Sequence, residues 1–306
     1  MVDFDEDLIR ALQLDGRAQF SAIATQIGVH RALVAQRVHE LLESGEVRVL
    51  AAVHPRLLGF PVQAHLMIRI SGPIEPVFET LRTHGNVVYL SEITGSSQAA
   101  IEVWASSRED LGRAVTAIQA IPGVGEVLLT LYDRVVRTLL LGEEPELSGL
   151  ELDEFDVALM SELQLDGRLT FGELSRRTGR SVSACRARVL RLLETRVMQI
   201  GAVRARQETS TGVLFGVGVL AGGAGDPVML ERWLKALPGV EFVARTVGRY
   251  SLLATIGARS IADHAEIVRA LRSRPGVTLA ETWIHASVWT ERYEWSLDRL
   301  ARLQAA

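Results

Sequence analysis

Cysteine is almost missing. Cys185 is the single one in 306 residues, so no disulfide can staple the chain internally, and that usage fits a reducing, cytoplasmic setting. No run of about 18 uncharged apolar residues occurs, which leaves no transmembrane helix and no membrane partner to expect. The opening MVDFDEDLIRAL is acidic and amphipathic, where a secretory leader would be basic and then apolar. An excess of one charge is also lacking: a formal net charge of −4 gives no global attraction to nucleic acid, so any basic surface has to be local. The 7 histidines show no ligand spacing, which argues against a metal site. The Gly-rich LAGGAGDP lacks the Lys and Ser/Thr of a phosphate-binding loop, and no Ser/His/Asp or paired-carboxylate constellation stands out. No catalytic residue, cofactor or enzymatic activity is therefore expected.

What is present is repetition. QLDGR occurs at residues 13–17 and again at 164–168. A shift of 151 also lays Phe20 on Phe171, Gly28 on Gly179, Arg37 on Arg188 and Val38 on Val189. Further on, a shift of 153 lays Gly95 on Gly248 and Pro122-Gly123-Val124 on Pro275-Gly276-Val277. The chain reads as a tandem duplication of a unit of about 150 residues. LLLGEEPELSGLEL, at residues 139–152, has the Gly, Pro and clustered Glu of a linker.

Each unit divides again. Helical spacing at Leu8, Ile9 and Leu12 ends at Asp15-Gly16; a short helix spans residues 21–27, and a third spans 31–44. In the second copy the matching helices start near Asp153, Thr170 and Ser181, with Thr170 and Glu173 forming a capping box and Ser181 an N-cap. Two short helices around a Gly-containing turn make a helix-turn-helix, and VRVLAAV or VMQIGAV follows as a strand. The rest of each unit alternates as βαββαβ, a ferredoxin-like sheet with helices on one face. The resulting fold class is α+β: two winged-helix-like helix-turn-helix domains (1–55 and 153–206) alternate with two βαββαβ domains (56–138 and 207–306). The last of these ends in a C-terminal helix marked by Trp289 and Trp295. Each sheet has one face to cover, which the two βαββαβ domains can do by pairing within the chain or by exchange between chains.

A unit in which FDEDLIRALQLDGRAQFSAIATQIGVHRALVAQRVHELLESGEV, or LDEFDVALMSELQLDGRLTFGELSRRTGRSVSACRARVLRLLETRVM, precedes βαββαβ resembles the Lrp/AsnC family of feast/famine transcriptional regulators. That resemblance implies double-stranded DNA as partner and pairing through the sheets, in a homo-oligomer or an intrachain pseudo-dimer. It also implies an amino-acid-like or other small-molecule effector near loops between dimers. The family's effector-domain turn reads G-x-x-D. Here Gly95, Ser96, Ser97 and Gln98, and Gly248, Arg249, Tyr250 and Ser251, occupy those turns without the Asp, so effector loops and plain hairpin turns are the two readings. Siroheme decarboxylases share this architecture and offer an alternative, although no tetrapyrrole-site pattern is recognisable. A ligand-sensing or assembly protein without DNA binding is a further one.

Charge separates the two copies. Residues 166–206 hold ten arginines against three acids, a net of plus seven, whereas the aligned residues 15–55 net to zero. Phosphate neutralisation supplies much of DNA affinity, so the second helix-turn-helix is expected to be the stronger binder. At 100° per residue, Val182, Cys185, Val189, Leu192 and Leu193 form its inward stripe. Ser183, Ala184, Ala187 and Arg191 lie opposite, with Arg180, Ser181, Arg186 and Arg188 alongside. The first copy offers Arg31, Gln36 and Arg37, with Ala32, Leu33 and the acid Glu40 also facing out. Arg37 and Arg188 occupy equal positions and read either as partners of an acid on the first helix or as DNA contacts.

Overall fold

The computed structural model describes residues 4–141, 145, 147, 149–205, 212–222, 226–297 and 300. The first half runs α1 (Asp5–Leu14), α2 (Phe20–Ile27), α3 (Arg31–Glu43), β1 (Val47–Val53), β2 (Val62–Ile70), α4 (Glu75–Thr83), β3 (Val87–Ile93), β4 (Ala99–Ala105), α5 (Arg108–Gln119) and β5 (Val124–Arg137). The second half repeats the order as α6 (Glu154–Leu165), α7 (Phe171–Thr178), α8 (Val182–Glu194), β6 (Met198–Arg204), β7 (Val213–Ala221), α9 (Pro227–Ala236), β8 (Val240–Val247), β9 (Leu252–Ala258), α10 (Ile261–Arg272) and β10 (Val277–Glu291). These elements form two compact units: residues 1–58, 139–205 and 293–306, and residues 59–138 and 206–292.

The first unit holds both helix-turn-helix copies. Asp153 and Asp156 form a capping box at the start of α6, Thr170 and Glu173 form one on α7, and Ser181 accepts from the Ala184 N–H at the start of α8. Each device satisfies backbone donors that the first helical turn leaves without partners. Gly28 and Gly179 close α2 and α7 at φ 73° and 68°, a left-handed conformation that suits glycine.

The strand after each helix-turn-helix pairs with its counterpart in the other copy. β1 and β6 run antiparallel, with Leu50 opposite Gly201. Those two residues are 151 apart, the repeat offset itself, so the pseudo-twofold axis of the unit passes through that pair. Around this axis the two QLDGR turns interlock. The Gly16 N–H donates to the Ile200 carbonyl at 2.9 Å, and the Gly167 N–H donates to the Val49 carbonyl at 2.8 Å. Arg17 donates to the Gly167 carbonyl at 2.8 Å and lies over Phe171, while Arg168 donates to the Gly16 carbonyl at 2.6 Å and lies over Phe20. A Cβ on Gly16 would sit 2.7 Å from Val49 Cγ1, and one on Gly167 would sit 2.8 Å from Ile200 Cγ2. The repeated pentapeptide is thus both a helix stop and the seam between the copies.

Two expected boundaries shift. Residues 139–152 do not run free where described: Leu140 and Leu141 are buried with Leu50, Ala52 and Val203, because three successive leucines find cover beside the β1/β6 ribbon. Neither tryptophan expected to mark a C-terminal helix lies in a helix. Trp289 lies on β10, where its ring meets Phe78 at 5.1 Å. Trp295 belongs to the helix-turn-helix unit: the buried Gln164 side chain accepts from its N–H at 3.0 Å and donates to its carbonyl at 3.1 Å. Residues 298–299 and 301–306 lie outside the described residues.

In the second unit the strands close into a barrel in the order β10-β3-β4-β2-β5-β8-β9-β7. The β5/β8 and β10/β3 pairings join one half to the other. Alternation along the strands sorts side chains into layers. Leu66, Ile68, Leu90 and Ile101 pack with Phe78, Leu81 and Ile118 of α4 and α5; Phe215, Val217, Leu252 and Ala254 pack with Leu230, Leu234 and Leu271 of α9 and α10. Met67, Ala100, Leu253, Tyr250 and Trp283 form a third cluster inside the barrel. The sheet face that each helix layer leaves open is covered by the other half of the same chain.

Candidate nucleic-acid interface

Helix α8 buries Cys185, Val189 and Leu192 completely, as its periodicity implies. Ser183, Arg186, Ala187 and Leu190 are exposed, and Ala184 is half-buried. Val182, expected inward, is 50% exposed because it opens the helix ahead of the packed turns.

Arg191 departs most from expectation. Its guanidinium donates to Asp156 Oδ2 at 2.6 Å and to the Glu151 carbonyl at 3.1 Å. Arg188 joins it, donating to Asp156 Oδ2 at 2.8 Å and to Asp153 Oδ2 at 2.8 Å. Asp156 is fully buried, and a buried carboxylate is tolerated only when cations and donors surround it. A helical wheel fixes where a side chain leaves the helix, but arginine is long enough to fold back to that acid.

The first copy has the same frame. Arg37 forks onto the buried Asp5 at 2.8 and 2.9 Å, and its remaining Nη1 donates to Glu40 at 2.8 Å. Gln36 also donates to Glu40, at 2.9 Å. Arg37 and Arg188 therefore both hold an acid of their own copy's first helix, the framework role that their equal positions allow. Arg31 remains exposed at the start of α3, and Glu40 and the exposed His39–Glu43 pair lie towards the other end of the helix.

Other arginines of the basic window are committed as well. Arg177 pairs with Glu162 at 2.6 Å, and Arg204 pairs with Glu6 at 2.7 Å and Glu46 at 2.9 Å. Arg180 lies 5.8 Å from the Phe155 ring centre. Among the described residues, Arg176 and Arg186 are exposed with no ion pair. The plus seven of the linear window is largely cancelled by acids outside it, and what remains outward clusters where α7 meets the start of α8. Arg176 was missing from the sequence-derived candidates; its place in the last turn of α7, next to the Gly179 stop, could have signalled it.

The effector-type hairpins are occupied by their own side chains. Gln98 Oε1 accepts from the Ile70 N–H at 2.9 Å, and Ser251 Oγ accepts from the Ala221 N–H at 3.2 Å, so both replacements for the family Asp tie their turn to a neighbouring strand. Gly95 and Gly248 adopt φ 116° and 135°. Ser97 is buried, and the Ser96 carbonyl accepts from Arg69 at 3.2 Å. Arg249 pairs with Glu281 at 2.6 Å, and Tyr250, 2% exposed, donates to the same carboxylate at 2.5 Å. Glu281 thus already supplies the anion that these two groups could otherwise have offered to bind.

The profile of the AsnC-type helix-turn-helix domain matches residues 1–42 and again residues 152–193. The transcriptional regulator Rv2324 of Mycobacterium tuberculosis is 30% identical over 143 residues, which span 44% of this chain and 95% of that protein. The regulator FL11 of Pyrococcus horikoshii is 27% identical over 124 residues, 40% of this chain and 82% of that one. Among solved structures, the siroheme decarboxylase NirDL superposes with a TM-score of 0.64 at 17% identity, covering 97% of this chain and 96% of its own, a likeness of fold. Two AsnC-type helix-turn-helix matches, in a chain that spans nearly all of a 30% identical regulator, place this protein in the Lrp/AsnC family of transcriptional regulators.

Proposed function

We propose that the chain is a sequence-specific DNA-binding transcriptional regulator that meets double-stranded DNA chiefly through its second helix-turn-helix. The observation that carries this is the exposed rim of α7 and α8. Arg176, Arg180 and Arg186 stand around Ser181, Ser183, Ala184 and Ala187, whereas the first copy has Thr25, Val29 and Ala35 at the positions of the three arginines. Small side chains let a helix approach the groove closely, and arginine forks match phosphates or a guanine edge. The chain has one lysine, Lys235, so arginine supplies essentially all of its cationic contacts. Arg188, Arg191 and Arg37 set the helices in place and are not DNA contacts in this reading. The β5/β8 and β10/β3 pairings make the effector-domain pair an intrachain pseudo-dimer. An anionic effector at the Gly95–Gln98 and Gly248–Ser251 turns would have to displace Glu281 from Arg249.

The test is a binding titration on one operator fragment at several salt concentrations. Substituting Arg176 and Arg186 by Ala should weaken binding and flatten its salt dependence, by about 0.9 in slope for each phosphate that is no longer neutralised. Substituting Arg31 and Gln36 in the first copy should do much less. A larger loss from the first-copy variant would assign reading to α3.

A further inference from the structure

We propose that the interior of the barrel is a binding site for a small molecule carrying a protonated amine, with the Glu102 carboxylate as its counter-ion. Alternation identifies the lining: Met67, Ala100, Leu128, Tyr132 and Trp283 belong to the cluster inside the barrel, so His65, Glu102 and Thr130, two residues along their strands, share that face. The registers set Glu102 opposite His65 on one side and opposite Tyr89 on the other, with His65 opposite Thr130. A polar belt therefore crosses an otherwise apolar interior. It is one-sided, since the facing pair His65 and Glu102 has Gly216 and Thr255 as its counterpart pair in the other half. The fold itself does not require it.

The belt is incompletely satisfied. Glu102 accepts a hydrogen bond from the Tyr132 hydroxyl at 3.1 Å, and no cationic side chain among the described residues pairs with it. Burial pushes its carboxyl up to about 7, against the opposing effect of the Tyr132 hydrogen bond. His65 is 5% exposed and Trp283 is 4% exposed, with ring centres 5.7 Å apart, and neither His65 Nε2 nor the Trp283 indole N–H has a partner. Buried polar groups left unpaired cost about 1–3 kcal/mol each, and such a cluster calls for an occupant. Tyr89, Glu102 and Tyr132 nevertheless keep part of their surface accessible. Eight-stranded barrels enclose enough room for side chains or for one small ligand.

The donor set selects the chemistry. A carboxylate without a cation, beside the rings of Tyr89 and Tyr132 and with Phe242 centred 5.2 Å from Tyr132, fits an ammonium group through charge and ring faces together. The Trp283 N–H and the His65 imidazole are left for polar atoms on the rest of the molecule. A simple amine and an amino acid share this chemistry, and the experiment separates them. Calorimetry and thermal shift on the full chain would use primary amines from methylamine to phenethylamine, L-phenylalanine, and 3-phenylpropionate as the amine-free control. We expect binding of one amine per chain and none of 3-phenylpropionate. Glu102→Gln should weaken binding by about tenfold or more while staying folded, with no loss of melting temperature. Tyr132→Phe keeps the carboxylate and should retain binding, and Arg249→Ala should leave it unchanged. Preference for phenylalanine over phenethylamine would make the natural ligand an amino acid. Binding that survives Glu102→Gln, equal binding of 3-phenylpropionate, or no binding across the whole amine series would overturn the proposal.

Discussion

In the first helix-turn-helix a single arginine, Arg37, forks onto buried Asp5 and shares its last donor with Glu40. In the second, Arg188 and Arg191 converge on buried Asp156, and Asp153 takes the remaining charge of Arg188. The residues at the position three beyond, Glu40 and Arg191, differ by two charges, yet in each copy that side chain is tied into the frame. What separates the copies is the ground around them, where Arg176 and Arg186 remain outward on α7 and α8 and the first copy has Thr25 and Ala35. Charge counted along a window therefore overstates the contrast, and charge counted after pairing locates it.

The largest effect should come from the frame. Arg37→Ala removes the guanidinium fork from Asp5 and should cost about 3–5 kcal/mol, the usual consequence of stripping one partner from a buried pair. Arg188→Ala leaves Arg191 on Asp156 and should cost about 1–3 kcal/mol. Urea unfolding of both variants checks the order, and equal losses would mean that the second arginine of the second copy adds no support.

The barrel halves extend the comparison, since Thr255 stands in one half at the place that Glu102 holds in the other. The folded carboxyl titrates near 7, above the ordinary glutamate value, so between about pH 4.5 and 7 the folded state keeps a proton that the unfolded chain releases. Stability is lost as pH rises through that window and stays lost above it. Glu102→Gln removes the effect and should stabilise by up to about 3 kcal/mol at pH 8, with the gain fading towards pH 4. Melting curves across pH measure it, and a gain independent of pH would assign the effect to packing.

A smaller change tests whether the copies are alike where they meet. Gly16→Ala and Gly167→Ala each press a Cβ against a side chain of their own copy, Val49 or Ile200, and against the facing strand's backbone at Gly201 or Leu50, and should cost about 1–3 kcal/mol, by similar amounts. A loss confined to one would show that the seam supports the two copies unevenly. The smallest expected effect is a modest gain in DNA affinity on replacing Glu40 with Gln, since a repulsive charge is removed from the weaker rim. Fluorescence titration at low salt, where repulsion is least screened, is the sensitive measurement.

Much of this organisation is legible along the chain because it is local or repeated. The offsets of 151 and 153, the capping residues, the buried stripe at Cys185, Val189 and Leu192, and the shared role open to Arg37 and Arg188 all follow from spacing. The destination of Arg191 is not legible, because the acid it meets lies 35 residues earlier and becomes a neighbour only after α6 packs against α8. Strand partners are equally hidden: nothing within VRVLAAV says that it pairs with the strand of the other copy. Trp289 and Trp295 sit close in sequence yet end in different units, because β10 runs on to Glu291 and the chain passes to the other unit at Tyr293. The belt of His65 and Glu102 is hidden too, because a polar residue alternating with apolar ones on a strand ordinarily faces solvent, and here barrel closure turns that face inward.

On a dyad formed by two identical chains, the residue on the axis must face its own twin. Leu50 faces Gly201 instead, in a site where any Cβ on Gly201 would come within 2.6 Å of Gln13 and Leu140. A leucine on both strands would collide, and a glycine on both would leave a gap, so a symmetric dimer would have to settle on some third residue. Joining the copies in one polypeptide lifts that constraint. A substitution arises once rather than twice, each half can drift on its own course, and the stoichiometry of the unlike halves is fixed at synthesis.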